Sequence, residues 1–77
     1  MDFLFHSVYN GGPHAKYYNV YKVDENHFVA ECHHFNRSRE CEGDFEIIRD
    51  PDGWKTNNEK YEQEAQYIGE EIDRGSQ

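Results

Sequence analysis

Basic residues are scarce in this chain: eight Lys and Arg stand against sixteen Asp and Glu, a net charge of −8 over 77 residues. Proteins that grip DNA or RNA draw much of their affinity from Lys and Arg neutralising phosphates. Direct nucleic-acid binding is therefore not expected, and neither is adhesion to an anionic membrane. Long apolar runs are missing too, since Phe3-Leu4-Phe5 is cut off at His6-Ser7. No stretch has the length of a membrane span and no leader is visible, so a cytosolic location is expected. Cysteine is limited to Cys32 and Cys41, and in a reducing compartment free thiols are expected rather than a disulfide. Hydrophobic content is only 35%. A core of this size supplies about 3–5 kcal/mol of net stability at most, so a single domain is the limit.

What is present is unevenly placed. Residues 1–39 carry four acids (Asp2, Asp24, Glu25, Glu31) and four bases (Lys16, Lys22, Arg37, Arg39), which cancel. Residues 40–77 carry twelve acids against Arg49, Lys55, Lys60 and Arg74, which gives the whole −8. Such asymmetry speaks to partners rather than to fold. Twelve aromatics (16%) offset the low apolar content, because each buries a large area.

The pattern predicts strands through residue 56 and a helix after it. Asp2–Tyr9, Lys16–Val23, Phe28–Phe35, Asp44–Arg49 and Trp54–Thr56 are the expected strands. Asn10-Gly11-Gly12-Pro13 breaks the first from the second, and Asp24–His27 turns the second into the third. Asp50-Pro51-Asp52-Gly53 has the residues of a type I turn. From Thr56 the period changes to 3.6: Tyr61, Ala65, Ile68 and Ile72 share one helical face. Thr56 and Glu59 fit a capping box, with Asn57 or Asn58 as alternative caps. Gly69 either allows close approach to the sheet or marks a break.

The expected fold is α+β: an antiparallel four- to five-stranded meander with one C-terminal amphipathic helix on one face. One domain spans 1–77, with the sheet over 1–56, the helix over 57–74 and a ragged tail at 75–77. Phe3, Phe5, Val20, Phe28, Ala30, Cys32, Phe45 and Ile47 form the sheet side of the expected core. The uncovered face carries Tyr17, Tyr21, Val29, Phe35 and Ile48.

Three groups of residues bear on function. Glu59, Glu62, Gln66, Glu70 and Asp73 fall on the outer helix face, so four carboxylates line about 21 Å at 1.5 Å per residue. That is one charge per about 5 Å, sparser than the roughly 3.4 Å of a DNA strand, which weakens mimicry of a nucleic-acid backbone. The plain alternative is a solvated helix face. Cys32, His34 and Cys41 form a second group, of zinc-ligand type but without the usual two-cysteine knuckle; the plain alternative is a core cysteine, a loop cysteine and solvent-facing imidazoles. Asp50, Asp52, Gly53 and Glu59 match four EF-hand positions, but Ile48 would stand at the first ligand position, and turn chemistry accounts for them.

Catalysis is not expected. His6, His14, His27, His33 and His34 are general-base types and Ser7, Ser38 and Cys41 nucleophile types, yet none stands in a nucleophile elbow or phosphate loop. The expected function is a small non-enzymatic, cofactor-free module that docks on a basic surface of another protein, in its sharpest form an inhibitor of a nucleic-acid-handling one. Glu59, Glu62, Glu70 and Asp73 steer that encounter, and Tyr17 and Tyr21 supply buried area. The alternatives are a zinc module built on Cys32, His34 and Cys41, and a structural homodimer joined through the uncovered sheet face.

Overall fold

Alternation of apolar and polar residues produces five antiparallel strands in simple sequence order, and the change of period produces the helix. The computed structural model describes residues 1–9, 15–32 and 43–75. Strands β1 (Asp2–Tyr9), β2 (Lys16–Asp24), β3 (His27–Cys32), β4 (Phe45–Asp50) and β5 (Gly53–Thr56) form one meander sheet. A 3-10 turn (Glu59–Tyr61) leads into α1 (Glu62–Asp73), which packs on one face. The sheet curls enough for α1 to touch both edge strands, β1 and β5, as well as β4. The expected α+β architecture is thus the one observed.

Turn chemistry fixes the hairpins. Asp24 pairs with His27, and the Asp24 carboxylate accepts from the Asn26 N–H at 3.0 Å. Asp50 repeats the device by accepting from the Asp52 N–H at 3.0 Å, while Gly53 closes the turn at φ 130°. The helix start differs from the capping box. Asn58 caps the 3-10 turn, its Oδ1 accepting from the Lys60 N–H at 3.0 Å, while α1 starts from its N-cap Tyr61 with no side-chain cap. Thr56 Oγ1 only reaches the Asn58 N–H, at 3.4 Å. Asn57 is drawn the other way, with its Oδ1 accepting from the Glu46 N–H at the start of β4. Gly75, at φ 73°, ends the helix by donating to the Ile72 carbonyl at 3.1 Å.

The core comprises Tyr18, Val20, Phe28, Ala30, Phe45, Ile47, Tyr61, Ala65 and Ile68, with Leu4, Phe5, Cys32, Trp54 and Ile72 packed around it. Phe45 stacks flat on Tyr61 with ring centroids 4.6 Å apart. Phe3, expected inside, is 50% exposed. A bulge explains this: Phe3 pairs with Tyr21 but Phe5 pairs with Val20, so Leu4 is an extra residue and the two phenylalanines turn to opposite faces. The expected residues Tyr17, Tyr21 and Val29 on the uncovered face are half-buried and Ile48 is exposed; Phe35 lies outside the described residues.

Tyr18 is a core residue that alternation alone leaves beside Tyr17. Its hydroxyl is buried and, among the described residues, has no hydrogen-bond partner. Burial, and then the Glu64 carboxylate nearby, push its ionisation well above the ordinary tyrosine value of 10.0. Tyr18→Phe keeps the edge-on contact with Phe45 and removes an unpaired buried polar atom, so stability is expected to rise by about 1 kcal/mol. A denaturant midpoint that moves upward at constant slope is the expected result; a lower midpoint contradicts the unpaired hydroxyl. The pH dependence has a fixed sign. Unfolded Tyr18 loses its proton above its ordinary value while the folded one keeps it, so wild-type stability falls as pH rises past that value. The variant loses that part of the alkaline slope.

Candidate protein-docking surface

The helix sorts its acids into two kinds. Glu64, spaced 3 from Tyr61 and 4 from Ile68, lies within the inward stripe and is 4% exposed. Its Oε2 accepts from the Lys16 ammonium at 2.7 Å. Glu71 Oε1 accepts from the buried Ser7 hydroxyl at 2.6 Å, which ties α1 to β1. Asp73 is occupied as well: Oδ1 pairs with the Arg49 guanidinium at 2.6 Å and Oδ2 accepts from the Trp54 indole N–H at 3.3 Å. Arg49 also stacks on the Trp54 ring, 4.6 Å from its centroid. Asp73 therefore fastens the helix end to β4 and β5.

Glu59, Glu62 and Glu70 remain exposed. Glu70 accepts from Gln66 Nε2 at 3.0 Å, while Glu59 and Glu62 make no ion pair among the described residues. Glu62 and Glu70 line an open groove of about 690 Å³ along the outer side of α1. Tyr9 and Tyr67 supply its aromatic wall, edge to face at 5.3 Å. Gln63 donates no charge but holds Tyr9 in place, accepting from its hydroxyl at 3.3 Å. Lys55 and Thr56 form the β5 rim.

No family model, curated protein or solved structure matches the chain. The surface must be read from its own residues.

Tyr17 and Tyr21 lie on the sheet face turned away from α1, so they do not join the helix acids in one contact area. Tyr21 donates its hydroxyl to Glu31 Oε1 at 3.1 Å, and that hydrogen bond raises its ionisation above the ordinary value. Asn19 Nδ2 donates to the same oxygen at 3.2 Å, and the His6 Nδ1 to Asn19 Oδ1 distance is 2.6 Å. His27 Nε2 and Glu46 Oε1 meet at 2.7 Å on this face. The uncovered face is thus a mosaic of internally bonded polar groups, not an apolar plate.

The expected free thiols are overturned at Cys32, which is disulfide-bonded. Expectation from compartment describes a redox environment, not which cysteines a fold brings within bonding reach. His34 and Cys41 of the zinc alternative lie outside the described residues, and a disulfide sulfur has no thiolate to offer zinc. Among the described residues, no group of three or more His, Cys, Asp or Glu side chains is placed to hold a metal ion.

The outer face of α1 thus presents two exposed carboxylates about 12 Å apart at helical rise, with Glu59 one turn before them. Sequence periodicity located Glu59, Glu62 and Glu70. It missed Tyr9, Tyr67 and Trp54, which reach the groove only because the sheet curls around the helix. Burial of Glu64 was open to detection, since its spacing places it on the apolar stripe.

Proposed function

We propose that this protein is a non-enzymatic module that docks on a basic surface of another protein through the outer groove of α1. The observation that carries the reading is that exposed Glu62, with no ion pair among the described residues, and Glu70 stand beside the Tyr9–Tyr67 wall in a groove of about 690 Å³. Carboxylates with an aromatic wall suit an arginine or lysine side chain, which gains charge attraction and contact with a ring face. Lys16 already places its ammonium 5.9 Å from the Tyr9 centroid, an internal instance of the same attraction. The remaining negative charge steers a basic partner from a distance. With Asp73 paired to Arg49, Glu59, Glu62 and Glu70 remain, three carboxylates along about 17 Å and unevenly spaced, against one charge per roughly 3.4 Å in a DNA strand. Close imitation of a phosphate backbone is thereby disfavoured, and a cationic protein segment is the better occupant. Proteins that handle nucleic acids present such segments, and covering one makes the module an inhibitor.

An oligo-arginine peptide serves as the probe. The double variant E62K/E70K changes the net charge from −8 to −4, because each substitution adds two positive charges. At low salt its association rate with the peptide is expected to fall about tenfold relative to wild type, and the difference should shrink as salt is raised. Equal association rates across the whole salt series would remove the electrostatic basis of the proposal.

A further inference from the structure

The end of α1 shows which cation a ring and a carboxylate hold best in this molecule. The Arg49 guanidinium lies 4.6 Å from the Trp54 ring centroid and pairs with Asp73 Oδ1 at 2.6 Å. A flat ring and a carboxylate thus share one guanidinium. Lysines sit farther from their rings: Lys16 is 5.9 Å from the Tyr9 centroid, and Lys60 is 5.9 Å from that of Tyr61. Those distances lie at the outer limit of a useful cation–ring contact, about 6 Å. An ammonium is compact and strongly hydrated, whereas a guanidinium is planar, more weakly hydrated and stacks on aromatic faces.

One turn before Asp73, Glu70 and Tyr67 offer the same two groups with no cation between them among the described residues. They stand three apart on the helix, which sets their Cβ atoms about 5–6 Å from each other. Glu70 is exposed, Tyr67 is 37% exposed, and both line the groove. Tyr9 steadies the Tyr67 ring by meeting it at 72° with centroids 5.3 Å apart. Gln66 Nε2 donates to Glu70 Oε2 at 3.0 Å, which sets the amide oxygen of Gln66 close to the carboxylate as a further acceptor.

Resting on the docking reading above, we propose that the side chain Glu70 and Tyr67 take from the partner is arginine rather than lysine. The guanidinium plane lies on the exposed part of the Tyr67 ring, and its fork donates two N–H groups to the Glu70 carboxylate. The Gln66 amide oxygen accepts from a third. A guanidinium has five donors in one plane, so ring contact and a two-oxygen fork are compatible. An ammonium has three donors in no common plane and satisfies one demand at the expense of the other. The net charge of −8 draws both cations alike, and only the ring and the fork tell them apart. Lys55, across the groove on β5, keeps the incoming cation on the helix side.

Hexa-arginine and hexa-lysine carry equal charge, so titrating the full chain with each separates the shape of the cation from its charge. Hexa-arginine is expected to bind about fivefold more tightly at low salt. The ratio should hold as salt weakens both, because screening acts on charge attraction and not on stacking. Tyr67→Leu, a substitution that favours the helix, should lower the ratio to about twofold by weakening hexa-arginine more than hexa-lysine. Circular dichroism confirms that the variant keeps its fold. Saturable binding of both peptides with equal affinity overturns arginine selectivity and leaves docking on a basic surface standing. Binding of neither peptide removes both. A fivefold ratio that Tyr67→Leu leaves unchanged overturns the placement on the ring.

Discussion

Gly69→Ala is expected to destabilise the protein by about 2 kcal/mol, although alanine is the better helix former by about 1 kcal/mol. A Cβ added at this position would overlap the Trp54 indole at Cγ, Cδ2 and Cε2. The indole has nowhere to go. Arg49 covers its ring, Phe28 meets it edge-on at 5.8 Å, and its N–H is held by Asp73. Overpacking against so fixed a neighbour costs up to about 3 kcal/mol, which exceeds the helix gain. Trp54 is the only tryptophan, so its emission reports the displacement directly. Denaturant unfolding followed by fluorescence should give a lower midpoint, with a smaller penalty in a Trp54→Phe background. A Gly69→Ala protein as stable as wild type would mean that helix and β5 are not in close approach.

The Lys16–Glu64 pair carries the second large effect. Glu64 has a side chain 6% exposed and Lys16 one 25% exposed. Lys16→Met removes the cation and leaves a carboxylate facing the core without compensation, which costs about 3 kcal/mol. The double variant Lys16→Met with Glu64→Leu should recover most of that loss, because removing both charges also removes the desolvation cost. Thermal unfolding of the two single variants and the double variant separates the terms. Additive losses would show that the pair is not coupled.

The division between what sequence revealed and what it concealed has physical causes. Alternation over Phe45–Asp50 and the 3.6 period of Tyr61, Ala65, Ile68 and Ile72 place the elements, because burial of one face imposes those periods. The hairpin turns were legible for a similar reason: Asp and Gly act through local hydrogen bonds and φ. Phe3 was misplaced because a bulge adds one residue, and parity counting cannot detect an insertion that only the paired strand reveals. Asp73 is exposed as its outer-face position suggested, but its bond to Arg49 was not legible, since it spans two elements whose relative placement depends on sheet curl. The same curl brings Tyr9 to Tyr67, residues separated by most of the chain. Exposed acids were legible on the candidate surface; its aromatic wall was not. Gly69 presented two alternatives in sequence, and the Trp54 contact selects close approach.

Residue-by-residue chemical-shift mapping with an oligo-arginine peptide tests the docking groove most directly. Saturable shifts are predicted at Glu62, Gln66, Tyr67 and Glu70, with the Tyr9 amide following and an oligo-glutamate control producing none. Shifts centred instead on Tyr17 and Tyr21, or spread evenly over every exposed acid without saturation, would contradict it.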